Sequence, residues 1–162
     1  MTNKKVKHVN MGVLSAVIID SINNNSDVKL TVTGNSMYPL FRGGVDSVIL
    51  TANSSIKKYD IPLYKRENGE YILHRIVKIK DNCLYIVGDN QKNIEFPVYP
   101  HQVLAVVKGF YRNGKYIPCD NIFYKLYSFL WVLILPYRDN VLKASKKVLT
   151  ILRKLRRKSC GK

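Results

Sequence analysis

Acidic residues are scarce in this chain: 11 Asp and Glu stand against 27 Lys and Arg over 162 residues, for a formal charge of +16. So lopsided a balance disfavours cationic partners and leaves nucleic acid and anionic lipid as the two obvious ones. Cysteine is scarce as well. Cys83, Cys119 and Cys160 are odd in number and far apart, which argues against a disulfide framework and gives no metal-site spacing. Free thiols are expected. No apolar run reaches the roughly 20 residues a helix needs to cross a bilayer. The short run from Met11 to Ile19 leads into Asp20 with no small-residue cleavage site after it, so it is not read as a signal peptide. Internal repeats and low-complexity segments are absent too.

What is present is a globular composition, 46% apolar, with its positive charge gathered at one end. From Arg138 to Lys162 the only acid is Asp139, among ten lysines and arginines. The length suits one domain of about 100 to 150 residues plus an appendage. Residues 1–120 are expected to form that domain and residues 121–162 a helical tail.

The apolar spacing of Val13, Leu14, Val17 and Ile18 predicts a helix over Asn10 to Asn23, ended by the turn-forming run Asn23 to Asp27. Alternation predicts strands over Val28–Val32, Ser47–Thr51, Ile61–Lys65, Tyr71–Lys80, Cys83–Val87, Val103–Tyr111 and Lys115–Ile117. Pro62 suits a strand's start or an edge. Turns fall at Arg42-Gly43-Gly44, Glu67-Asn68-Gly69, Asp81-Asn82, Gly88-Asp89-Asn90 and Asn113-Gly114. Short strands at hairpin spacing after one early helix indicate a mainly β domain.

The tail differs in kind. Ile122 to Leu135 is almost wholly apolar or aromatic up to Pro136, yet too short for a confident span. Beyond it, Val141, Leu142, Val148, Leu149, Leu152 and Leu155 make a stripe opposite Lys143, Lys146, Lys147, Lys154 and Arg157. A basic amphipathic helix of this kind favours the plane of an anionic membrane surface.

Two residues suit chemistry. Ser36 falls just past a strand, on the turn Gly34-Asn35-Ser36-Met37-Tyr38-Pro39, exposed yet held by a rigid element. A serine hydroxyl needs a base to take its proton, and a neutral imidazole such as that of His74 suits the task near neutral pH. A carboxylate behind the imidazole would fix its tautomer. Lys78 and Lys80 share strand parity with His74, which admits a lysine base, but a solvated strand edge is the expectation for them. His8 and His101 have no partner pattern.

In order, Gly34-Asn35-Ser36-Met37-Tyr38-Pro39, Asp60-Ile61-Pro62-Leu63-Tyr64, His74-Arg75-Ile76-Val77 and Gly88-Asp89-Asn90 resemble the boxes of signal peptidase I and its relatives of the S24/S26-type fold. The likeness spans roughly residues 30 to 112 and is closest to the Ser-His, ER-type version. It implies a signal-peptidase-like β-rich catalytic domain with a short N-terminal helix, no cofactor and no metal. Its activity would be endopeptidase cleavage of an extended peptide or preprotein after small residues. The resemblance makes Ser36 the nucleophile and His74 the general base, with Asp89 or Glu95 as the acid partner. Gly34, Asn35 and Met37 would surround the substrate and the oxyanion. Gly34 replaces a serine that relatives often carry, leaving backbone N–H groups as oxyanion donors. Gly43-Gly44-Val45-Asp46 stretches the usual Gly-Asp, and Tyr59 replaces a common glycine. The N-terminal anchor of most relatives is not seen.

Membrane association on the cytoplasmic face is therefore expected, with the extracytoplasmic face as the other choice. Two rival functions remain. One is a self-cleaving repressor or nucleic-acid-associated protein of the same fold, but the stretch before Ser36 leaves no room for a helix-turn-helix. The basic part of the tail is interleaved with an aliphatic stripe and not with the aromatic stacking or base-reading residues of specific readout, so no specific nucleic acid is expected. The other is an inactive peptide-binding module, against which Ser36 and His74 count.

Overall fold

The computed structural model describes residues 11–24, 26–52, 55–144 and 150. Alternating apolar residues give most of its elements one buried face. In β1 (Val28–Thr31) Val28 and Leu30 turn inward, and in β2 (Ser47–Thr51) Val48 and Leu50 are fully buried. β3 (Pro62–Lys65) opens on its proline, where no ladder hydrogen bond is lost. β4 (Tyr71–Leu73), β5 (Arg75–Lys80), β6 (Cys83–Val87), β7 (Glu95–Val98), β8 (Val103–Arg112) and β9 (Lys115–Pro118) follow. Asn113 and Gly114 both take positive φ, 51° and 78°, and so close the β8–β9 hairpin.

All strand pairings among the described residues are antiparallel. One sheet runs β1-β2-β8-β3-β4, with β9 on the far end of β8, and a smaller sheet runs β5-β6-β7. The larger core joins Ile18 and Ile22 of α1 (Met11–Asn23) to Met37, Leu40 and Phe41 of the serine turn and to Val48, Leu50, Leu63, Val107 and Phe110 of the sheet. Tyr64, Ile76, Leu84, Ile86 and Val98 form a second cluster beneath the smaller sheet.

Two departures from the expected strands matter. Tyr71–Lys80 is not one strand: it breaks at His74, with β4 in the larger sheet and β5 in the smaller. The break follows from Arg75, whose guanidinium turns fully into the interior to meet Asp89, Ser128 and Tyr124. β7 was not expected at all. Its Pro97 and Glu95 hide a short edge strand that only the ladder with β6 reveals.

α2 (Ile122–Leu133) starts at Asn121, whose side-chain oxygen accepts hydrogen bonds from the N–H groups of Phe123 and Tyr124 at 2.9 and 3.3 Å. Such a cap contributes about 1 kcal/mol. Tyr124, Ser128 and Trp131, spaced one to two turns apart, bury one face of the helix on the β domain. A 3₁₀ turn over Leu135–Tyr137 accommodates Pro136, and residues 138–144 are helical again. Most of the expected basic amphipathic stripe, Cys160 and His8 lie outside the described residues. Among the described residues no helix is long and apolar enough to cross a membrane.

Candidate active site

Ser36 is held by its neighbours. Gly34 takes φ 76°, and Tyr38 N–H donates to the Asn35 carbonyl at 3.1 Å to close the turn. Met37, only 1% exposed, pins the turn into the core, and Phe41 N–H donates back to its carbonyl at 2.9 Å. Burying a side chain of that size contributes about 1.5–3 kcal/mol. Arg112 donates to the carbonyls of Pro39 and Leu40 at 2.8 and 2.9 Å. The stretched Gly43-Gly44-Val45-Asp46 segment braces the turn from behind. A Cβ at Gly43 would stand 2.2 Å from the Gly34 carbonyl oxygen, so only glycine fits. Buried Asp46 accepts from the Arg42 N–H, Nε and guanidinium at 2.8, 3.0 and 2.6 Å, and those side-chain bonds hold its carboxyl below the usual range despite burial.

Ser36 itself is half-buried. Its carbonyl accepts from the Asn90 N–H at 2.7 Å, while the Asn90 side chain donates to the Asn35 carbonyl at 3.1 Å. Its hydroxyl and its N–H make no hydrogen bond to another described residue.

His74 occupies the seam between the two sheets and is 2% exposed. Its Nε2 faces Gly88: a Cβ built there would lie 3.0 Å from Nε2 and 2.6 Å from the Ser36 carbonyl oxygen. The serine backbone and the imidazole thus meet across one glycine. On the other side of the ring, Nδ1 stands 3.4 Å from Glu95 Oε1. That contact is electrostatic, too long to be a good hydrogen bond, and Nδ1 has no hydrogen-bond partner among the described residues. Burial holds the imidazole below its ordinary pKa, with Glu95 opposing and the Arg66 charge assisting. That direction favours the neutral ring a base requires.

The two candidate carboxylates part company. Asp89 is fully buried and both its oxygens accept from Arg75, at 2.9 and 2.8 Å. Glu95 lies beside the ring, but it also accepts from Tyr64 Oη at 2.8 Å, from Arg66 Nε at 2.8 Å, and from a second Arg66 nitrogen. Partial burial pushes its carboxyl up, but these bonds outweigh it and hold it below its usual value. A cavity of about 490 Å³, lined in part by Tyr64, Arg66, Glu95, Phe96 and Gln102, opens beside it.

Tyr64 and Arg66 were not foreseen as site residues. They reach Glu95 from 31 and 29 positions away; Tyr64 closes the Asp60-Ile61-Pro62-Leu63-Tyr64 box without being singled out there, and nothing local marks Arg66. Lys78 and Lys80 point to solvent, Lys78 over the Tyr85 ring. His101 stacks on Tyr99. Among the described residues no group of three or more His, Cys, Asp or Glu could hold a metal ion.

The described residues form a mainly β domain in which a serine turn and a buried histidine meet across one glycine. The family model described as Peptidase S24-like matches residues 7–108, more than half of the chain. The chain belongs to that family. Membership fits a serine peptidase or a self-cleaving repressor fold, and it places the chain in the S24/S26 superfamily. No curated protein matches the sequence. The matched span contains Ser36, His74, Asp89 and Glu95 and stops before α2.

Proposed function

We propose that the chain is a serine endopeptidase of signal-peptidase type, cutting a signal or leader peptide through an acyl-enzyme. The observation that carries this is the juxtaposition across Gly88 of the Ser36 backbone and His74 Nε2, with Glu95 on the far side of the ring. Ser36 Oγ attacks the scissile carbonyl carbon as its proton passes to Nε2. The Ser36 N–H, unengaged by any other described residue, would serve as a donor to the resulting oxyanion. Collapse of the tetrahedral intermediate returns the proton to the leaving amine and leaves an ester on Ser36, which water hydrolyses with His74 again as base. Glu95 stabilises the imidazolium formed in each half. Asp89, with both oxygens on Arg75, is a positioning residue for the loop that carries Gly88.

The substrate would lie extended against a sheet edge, where main-chain hydrogen bonds bind it and pockets read alternate side chains. β4, an edge strand ending one residue before His74, offers such an edge.

The test is hydrolysis of a peptide with small residues at the first and third positions before the bond. Ser36→Ala and His74→Ala should each lower kcat/KM by about a thousandfold or more with the fold intact by circular dichroism. Intact-mass detection of an acyl adduct on Ser36 separates peptidase action from mere peptide binding. Turnover equal to wild type in either variant overturns the mechanism. Cleavage of the chain itself with none of the added peptide would favour the self-cleaving alternative.

A further inference from the structure

The two faces of α2 have opposite jobs. The inner face is polar in its contacts: Trp131 Nε1 donates to the Asp89 carbonyl at 3.2 Å, and Ser128 Oγ accepts from Arg75 at 2.9 Å. Just beyond the helix, buried Arg138 donates to the Gly88 carbonyl at 3.0 Å and to the Trp131 carbonyl at 3.0 Å. These bonds fasten the helix to the loop that separates Ser36 from His74.

Among the described residues the outer face is left uncovered. Phe123 is 78% exposed, Ile122 69% and Leu133 63%, and Leu126 and Leu130 extend the same strip. Contiguous apolar surface of this kind marks an interaction site. At 12 residues the helix is roughly 18 Å long, against roughly 30 Å of hydrocarbon, so it suits lying in an interface and not crossing one. Charge decides the occupant. Lys125 sits on the helix, and exposed Lys57 and Lys58 flank it, their turn held to α2 by the Tyr59–Phe129 ring contact. The chain carries +16 overall, with ten Lys or Arg from Arg138 onward, which opposes a second copy of itself and suits an anionic lipid surface.

We infer that the outer face of α2 is a docking surface for an anionic lipid bilayer, and that docking is felt by the Gly88–Gln91 loop through the inner face. A membrane-associated enzyme with its peptide site steadied by the lipid surface results. The docking stands by itself; the effect on the loop rests on the peptidase reading above.

Flotation of the full chain with vesicles of equal phosphatidylglycerol and phosphatidylcholine, against phosphatidylcholine alone, tests the first part. The bound fraction should be at least about tenfold higher with the anionic vesicles and fall steeply with salt. Phe123→Asp with Leu133→Asp should cut binding about tenfold and leave hydrolysis of a soluble peptide without vesicles unchanged. The wild-type comparison of the two lipids stands even if that variant fails to fold. Equal binding to both vesicles, no binding, or undiminished binding by a folded variant overturns the docking. So does a dimer in sedimentation that the substitutions dissociate, which would make the face a self-association surface. For the second part, anionic vesicles should raise soluble-peptide turnover severalfold in wild type and not in the variant. Flotation without that rise overturns the coupling. Absence of hydrolysis under every condition overturns the peptidase reading and leaves flotation to decide docking.

Discussion

Arg75 and Asp89 are both sealed from solvent and paired through two parallel hydrogen bonds, at 2.9 and 2.8 Å. The remaining Arg75 nitrogen donates to the Tyr59 carbonyl and to Ser128 of α2, so one guanidinium ties the His74 seam, the Gly88 loop and the helix together. Removing one partner of such a pair strands the other charge in the interior, at about 3–5 kcal/mol. Asp89→Asn should therefore lower the urea midpoint by that equivalent with little change in slope. A midpoint within error of wild type would show that Arg75 finds another partner.

His74 should set the acid limb of hydrolysis. Its pKa in the folded chain is depressed, chiefly by burial, so the base stays neutral and active as pH falls past about 6.5 and is lost only lower down. Glu95 raises this pKa and Arg66 lowers it. Glu95→Gln should move the acid midpoint of kcat/KM to lower pH, and Arg66→Met should move it higher. Arg66→Met also releases Glu95 from two of its donors and lets it close on Nδ1, which adds to the upward shift. Midpoints that move together in the two variants would exclude His74 as the titrating base.

Cys119 offers a check on the interior under α2. Burial pushes its thiol up to about 11, against smaller opposing effects of the Tyr124 hydroxyl and the Arg75 charge. The thiolate is the nucleophile, so at pH 8 iodoacetamide should alkylate Cys119 at least about tenfold more slowly in the folded chain than in urea. Peptide mass mapping follows it site by site. Equal rates would mean that the helix leaves this face often.

Where one face of a strand is buried, the sequence carries the information locally, and alternation placed β1, β2, β6 and β8 to within a residue or two. The same alternation misled at His74. Tyr71 to Lys80 looks continuous because both sheets want apolar residues at every second place, and the switch is imposed by Arg75 contacts to Tyr124 and Ser128, 49 and 53 residues away. The boxes nominated Ser36, His74 and Asp89, and the resemblance added Glu95 a few residues beyond the last box, yet it could not rank the carboxylates. That ranking depends on which one a buried arginine occupies, a property of packing between distant segments. α2 was legible as an apolar run. Which of its faces would be spoken for was not, since the inner contacts belong to a loop some forty residues earlier.

Gly88 is the sharpest test of the arrangement as a whole. Its need for glycine comes from what stands against it and not from a left-handed backbone: a methyl group there would lie 2.6 Å from the Ser36 carbonyl oxygen and 3.0 Å from His74 Nε2. The first contact is with backbone already bonded to Asn90 at 2.7 Å, and the Gly88 carbonyl itself accepts from Arg138, so neither side is free to retreat. The strain falls on the separation of serine and imidazole, where a displacement of about 1 Å costs on the order of a hundredfold in rate. Gly88→Ala should then lose about that much in kcat/KM for the small-residue peptide. The loss in a urea titration should be smaller than for Asp89→Asn, because no charge is left unpaired. Full activity in Gly88→Ala would mean that Ser36 and His74 do not work across this loop, and the assignment of both would fall with it.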